Sequence, residues 1–282
     1  MRVLVTGADG QLGYDVVKRL DENSIECLGT SINELDITDE AQTNKVITKY
    51  NPDVVVHCAA YTAVDKAEDE RELCYNINVL GTKYVAAACK EIDAKMVYIS
   101  TDYVFDGKGN QPFEVTDQPN PINYYGKTKY KGELEVQKLL NKYFIIRISW
   151  VFGKNGNNFV KTMLKLMTER QQVSVVADQF GSPTWAKDLA ELIMVTLKKW
   201  IPGIYHYSNQ GRASWYEFAL AIRDLSELNC EVIPVTSAEF PTAAQRPTYS
   251  LLDKTKVSQT FGIEISPWKD SLSRMIQEVH VS

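Results

Sequence analysis

The sequence predicts an α/β protein: a Rossmann-type, doubly wound parallel sheet with a smaller C-terminal α/β domain. Three observations carry this prediction. The chain opens with a β-branched run, Arg2 to Thr6, then a glycine loop, Gly7-Ala-Asp-Gly10-Gln-Leu-Gly13, then an amphipathic stretch from Tyr14 to Leu20. Strand, glycine turn and helix in that order present N–H groups that can hold a pyrophosphate. Continuous apolar runs such as Asp53 to Ala60 are those of strands buried on both faces of a parallel sheet. Helical segments separate the strands, as in βαβ units.

The 282 residues, 44% hydrophobic and 24% charged, suffice for one large domain or two unequal ones. A formal net charge of −5 and the lack of a basic run speak against nucleic acid as a partner. No apolar run is long enough for a membrane span, and the short apolar start leads straight into the glycine loop, so a cytoplasmic protein is expected. The five cysteines are scattered, without a C-x-x-C pair, which fits reduced thiols. The three histidines show no ligand spacing, and no metal site is expected. His57 reads as a strand residue and His280 as a tail residue.

Taken in order, the second strand near Ile25 to Gly29 ends in Gly29-Thr-Ser-Ile-Asn33. That stretch has neither an acid for a ribose 2′-hydroxyl nor an arginine for a 2′-phosphate, so NADH and NADPH stay equally open. Leu35-Asp-Ile-Thr-Asp39 places Asp36 and Ile37 near an adenine and leaves Asp39 to cap the next helix. Asp53 to Ala60 ends in two small residues, Ala59 and Ala60, which leave room for a ligand at the carboxyl edge of the sheet. Asp69 to Glu91 reads as one crossover helix. Lys95 to Phe105 is a fourth strand whose end carries Ser100, Thr101 and Asp102. Asp106 to Asn123, rich in Gly and Pro, is expected to be mobile or lid-like. A helix then starts around Asn123-Tyr-Tyr-Gly-Lys-Thr-Lys129, and its spacing stacks the phenol of Tyr125 on the ammonium of Lys129. A tyrosine has an ordinary pKa of about 10, and a nearby positive charge favours its phenolate.

Tyr143 to Trp150 is a fifth strand. Beyond it come a loop at 153–158, a helix from Phe159 to Arg170, a strand from Val173 to Val176 and a turn-rich segment from Asp178 to Thr184. A helix from Trp185 to Lys199, a strand from Gly203 to Ser208, a helix capped by Ser214 and running to Leu228, and a last helix from Trp268 to Val279 complete the chain. No internal repeat appears.

The glycine loop, the Ser-Thr-Asp run at 100–102 and the Tyr125/Lys129 pair together resemble the extended short-chain dehydrogenase/reductase family. Ser-Thr-Asp-Tyr-Val-Phe-Asp-Gly107, Tyr-Gly-Lys-Thr-Lys-Tyr-Lys-Gly-Glu133, Arg-Ile-Ser-Trp-Val-Phe-Gly153 and Asp-Gln-Phe-Gly-Ser-Pro-Thr184 extend the resemblance over nearly the whole chain. They are similar to the branch that reduces the C4 ketone of dTDP-4-dehydro-6-deoxy-L-mannose to dTDP-L-rhamnose. The resemblance implies an NAD(P)-binding Rossmann domain over residues 1–150, and a mainly substrate-binding domain over 151–282 with segments returning to the first sheet. It implies Tyr125 as proton donor, Lys129 as the residue that binds the nicotinamide ribose and lowers the tyrosine pKa, and Thr101 as the polarising hydroxyl. By the same similarity Gly7, Gly10, Gln11, Leu12, Gly13, Asp36, Ile37, Ala59, Ala60, Tyr61, Tyr125 and Lys129 contact NADPH or NADH. Thr101, Asp102 and Trp150 contact the nucleotide-sugar substrate. Arg246 is a candidate for its diphosphate, which a guanidinium can grip bidentately, with a structural ion pair as the competing role. A homodimer is possible. Some members hold magnesium through glutamates at a dimer contact, but Asp15 here is one methylene shorter and no metal is expected. The alternatives are a non-catalytic NADP-binding subunit resembling the methionine adenosyltransferase β subunit, and another nucleotide-sugar epimerase, dehydratase or reductase.

Overall fold

A computed structural model describes residues 1–280. The strands β1 (Arg2–Thr6), β2 (Glu26–Thr30), β3 (Val54–His57), β4 (Lys95–Thr101) and β5 (Tyr143–Ile148) and a last strand, Gly203–Tyr207, form one six-stranded sheet. Every neighbouring pair is parallel, in the order β2, β1, β3, β4, β5, Gly203–Tyr207. The chain steps from β1 out to β2 and then returns across β1 to β3, so the strand order reverses between β1 and β3, where ligands bind in open α/β sheets. Thr6 pairs with His57, and Thr101 with Ile148, which sets the carboxyl ends of the strands along one edge.

Alternation along β1 explains why both faces are covered. Val3 and Val5 join a core with Val16 and Leu20 of α1 (Gln11–Glu22), and Leu4 points the other way. That second face packs against α2 (Glu40–Tyr50), which Asp39 caps as expected through its carboxylate on the Gln42 N–H. The expected single crossover helix at 69–91 is broken instead into a 3-10 turn (Lys66–Glu68), α3 (Arg71–Tyr75), a π-helical stretch (Asn76–Gly81) and α4 (Thr82–Glu91). The wide turn lets Asn78 reach out and bond both the N–H and the C=O of Tyr61, at 2.9 and 3.1 Å. α5 (Tyr124–Leu139) completes that layer.

The connection from Asp106 to Asn123 is pinned in its middle and is not a free lid. Phe113 stacks on Phe105 with centroids 4.4 Å apart, and its N–H and C=O bond Leu251 and Asp253 at 2.8 Å each.

A second core gathers α6 (Phe159–Glu169), a parallel pair of strands at Gln172–Val176 and Glu231–Val235, and the helices Trp215–Leu225 and Trp268–His280. α7 (Ala186–Lys198) lies between the two, sending Leu189 and Ile193 into the core of the first sheet beside α1. Ser214 caps α8 (Trp215–Leu225) in a reciprocal box with Glu217; α9 (Thr255–Phe261) returns to the first sheet, and α10 (Trp268–His280) closes the chain. Among the described residues no helix is long and apolar enough to cross a membrane.

Candidate active site

The glycine loop is built by contact as well as by turn. Gly7 has φ +66°, which L side chains rarely adopt, and a Cβ there would stand 2.8 Å from the Ala59 nitrogen. A Cβ on Gly13 would fall 2.1 Å from the Gly7 oxygen. The loop therefore folds tightly onto itself and onto the end of β3. No side chain caps α1 at Gly10, and the buried Oε1 of Gln11 has no partner among the described residues. Free N–H groups at a helix start and a positive dipole end suit the pyrophosphate of a dinucleotide, whereas the Gln11 oxygen is an acceptor and suits a donor such as a hydroxyl. Leu12 contributes differently, by burial in the sheet core.

The other expected cofactor residues lie around this cradle. Ala59 donates its N–H to Thr6 Oγ1 at 3.2 Å, and it and Ala60 are half-buried past the end of β3. Tyr61 is held by Asn78 and donates its hydroxyl to Glu70 at 2.7 Å. Asp36 accepts from the N–H and hydroxyl of Thr38, at 2.9 and 2.7 Å, so its carboxylate is engaged locally. Ile37 is buried, and a Cβ on Gly81 would meet its Cδ1 at 2.8 Å, so its side chain serves the core.

At the end of β4 the chain turns through Asp102–Val104, and α5 begins hard against that turn. Asn123 caps α5 through Oδ1 on the Gly126 N–H at 2.8 Å, and a Cβ on Gly126 would be 2.1 Å from the Tyr103 oxygen. This approach brings the Tyr125 phenol up to the Thr101 side chain. Lys129 follows one turn later, 3% exposed, with Nζ 4.2 Å from the centre of the Tyr98 ring. Desolvation pushes the Tyr125 phenol well above its ordinary range against the lowering effect of Thr101. Tyr125 thus holds its proton and can act as an acid. Burial also brings Lys129 down to about 7, with Glu133 opposing the fall.

Asp102, 2% exposed, is raised to about 7 by burial, with the nearby Ser250 and Thr101 hydroxyls pulling the other way. Its Oδ1 accepts from Thr101 Oγ1 at 3.1 Å, while its buried Oδ2 has no partner among the described residues. Such an atom suits a hydroxyl of a bound sugar. Trp150 emerges beyond Ile148, the partner of Thr101 in the sheet, and stacks on Trp215 with ring centroids 3.6 Å apart. Arg246 forms a bidentate pair with Asp65, at 2.6 and 2.9 Å, the competing structural role. Asp15, raised to about 6 by burial and then by Glu278, lies away from this set; among the described residues no three metal-ligating side chains cluster.

Thr101, Asp102 and Tyr125 therefore gather at the carboxyl edge, and Lys129 stands one helical turn from Tyr125, near Cys58 just past the end of β3. Sequence reasoning missed Ser250, Asn78, Asp65 and Trp215, which come from distant segments without a local pattern. It also passed over Glu133, although the i, i+4 spacing from Lys129 was a usable signal.

The family model described as RmlD substrate binding domain matches residues 1–281. The chain is 43% identical over 277 residues to a spore coat polysaccharide biosynthesis protein, SpsK, of Bacillus subtilis (strain 168), covering 98% of this chain and 97% of the relative. It is 42% identical to a dTDP-4-dehydrorhamnose reductase of Aggregatibacter actinomycetemcomitans, covering 97% and 98%. Among solved structures, a dTDP-4-dehydrorhamnose reductase of Bacillus anthracis str. Ames in complex with NADP superposes with a TM-score of 0.96 at 44% identity, covering 98% of this chain and 99% of that one.

Proposed function

This chain belongs to the RmlD substrate binding domain family, and from that premise we propose that it reduces the C4 ketone of dTDP-4-dehydro-6-deoxy-L-mannose to dTDP-L-rhamnose with NADPH or NADH. What supports the reading is Tyr125 brought up to Thr101, with Lys129 one turn further along α5, at the sheet edge that carries the glycine cradle.

When bound at the glycine cradle, a reduced nicotinamide would supply the hydride for C4. Gly7, Gly10 and Gly13 leave the α1 N–H groups open to the pyrophosphate, with Gln11 beside them. Tyr125, which keeps its proton at working pH, donates it to the oxygen at C4 as negative charge develops there. Thr101, whose single hydroxyl proton points at Asp102 Oδ1 in this structure, turns that proton to the same oxygen when the ketone is bound. Lys129, close to half-charged near pH 7, supplies an ammonium to the nicotinamide ribose and a positive field to the phenolate left behind. Asp102 Oδ2 and the Trp150 indole are assigned to the sugar, and Arg246 to the diphosphate after it leaves Asp65. The intact Thr101, Tyr125 and Lys129 set weighs against a non-catalytic subunit. Work in the cytoplasm and assembly as a homodimer belong to the same proposal.

The test is direct. Purified protein is mixed with NADH or NADPH and dTDP-4-dehydrorhamnose, and the absorbance of the reduced cofactor is followed. Substrate-dependent oxidation is expected; intact cofactor binding without it would refute the reading.

A further inference from the structure

Glu133 stands one helical turn beyond Lys129 on α5, in line with Tyr125 and Lys129. It is fully buried. Its Oε1 accepts from Ser100 Oγ at 2.5 Å and from Arg147 Nε at 2.9 Å, and its Oε2 accepts from Arg147 Nη2 at 2.7 Å. Ser100 immediately precedes Thr101 on β4, and Arg147 lies on β5. Arg147 Nη1 in turn faces His206 Nε2 at 3.5 Å, and His206 Nδ1 faces the Phe113 carbonyl at 3.0 Å. Burial brings His206 down to about 3, so the ring is neutral, accepting at Nε2 and donating from Nδ1. One carboxylate therefore joins the catalytic helix to both neighbouring strands.

Apolar side chains of similar volume would fill this space without the cost of desolvating two charges, so packing alone does not account for the pair. Lys129 does account for it. The groups around its ammonium are His57 and Cys58 at the end of β3, Cys74 on α3, Tyr98 on β4 and Glu133 on α5, with Tyr125 one helical turn before it. Burial holds His57 neutral, at about 3, and pushes Cys58, Cys74, Tyr98 and Tyr125 upward so that they keep their protons. Glu133 is the one carboxylate of that set.

We propose that Glu133 is a positioning residue: its buried carboxylate keeps Lys129 charged and, through Ser100, fixes Thr101 against Tyr125 and Lys129. The proposal rests on the reading that Lys129 works as an ammonium beside the cofactor. Activity is then lost as pH rises through the Lys129 pKa, and removing Glu133 lowers that pKa.

The test compares wild type with Glu133→Gln/Arg147→Met, which removes both buried charges, and with Arg147→Met alone. In the double variant the high-pH limb of kcat moves toward acid by about one pH unit. In Arg147→Met, where Glu133 is unopposed, it moves toward alkali. Fluorescence titration of NADPH binding against pH should show the same displacements without turnover. Folded variants whose limbs and binding curves coincide with wild type overturn the proposal. Should neither fold, Glu133→Asp retracts the carboxylate by one methylene, and an unmoved limb there has the same adverse meaning. A wild type that binds NADPH but does not oxidise it with dTDP-4-dehydrorhamnose counts against the reductase reading instead, and the NADPH titration then still decides the role of Glu133.

Discussion

Trp150 and Trp215 lie face to face, with ring centroids 3.6 Å apart and planes 10° from parallel. Trp150 reaches this stack from φ +48°, a left-handed conformation that costs an L-residue about 1–2 kcal/mol. Gly181 makes the room, because a Cβ there would stand 2.6 Å from the Trp150 ring. Gly181→Ala should therefore tilt the indole. KM for the nucleotide sugar is expected to rise about tenfold, the cost of roughly 1.4 kcal/mol of lost contact, while the Kd for NADPH stays put. Steady-state kinetics with a parallel cofactor titration checks it, and an unchanged KM would remove Trp150 from the substrate site.

Tyr125→Phe deletes the acid and leaves the ring. The loss of a positioned proton donor should lower kcat by about 10²–10⁴-fold. NADPH affinity should remain nearly that of wild type, since the helix start is held by Asn123 and Gly126 and not by the phenol. Near wild-type turnover would mean that another group protonates the ketone oxygen.

Gly13→Ala puts a methyl where the Gly7 carbonyl oxygen lies 2.1 Å away. The loop must open, and the N–H groups at the start of α1 lose their aim. NADPH binding by calorimetry should weaken at least about tenfold, with a fall in Tm of several degrees from the strained turn. Wild-type affinity in this variant would show that the cofactor does not lie on this loop.

Asp102→Asn should stabilise the protein at neutral and alkaline pH but not at pH 4. The carboxyl titrates at about 7 in the fold and at an ordinary 3.8 when exposed, so the native state holds the extra proton between those values. Wild-type stability therefore falls as pH rises from about 4 to 7, whereas the amide has no proton to lose. The gain in denaturant unfolding should be near zero at pH 4 and reach about 2–4 kcal/mol at pH 8. An equal gain at both pH values would mean that Asp102 does not rest as the neutral acid.

The parts legible along the chain were those with a local cause. Gly7 to Gly13 must be glycine-rich to turn tightly, Val3 and Val5 alternate with Leu4 because a buried strand has two faces, and Tyr125 and Lys129 share a side of α5 because a helix repeats every 3.6 residues. The crossover read as one helix was misjudged because the π-helical turn exists to deliver Asn78 to Tyr61, and nothing near residue 78 announces that contact. The supposed lid at 106–123 was misjudged for the same reason, since Phe113 is tied to Leu251 and Asp253.

The sequence by itself determined the strand, turn and helix order, the cradle and the acid–ammonium pair, since these follow from backbone sterics and short-range periodicity. Only the tertiary structure decided which charges stand together. It paired Arg246 with Asp65 across 181 positions, gave Trp150 its partner in Trp215, and set Glu133 between Ser100 and Arg147 beneath Lys129. The physical reason is that a buried charge is tolerated only with its partners in place. Partners drawn from separate strands and loops become neighbours only when the sheet has formed and the helices have packed on it.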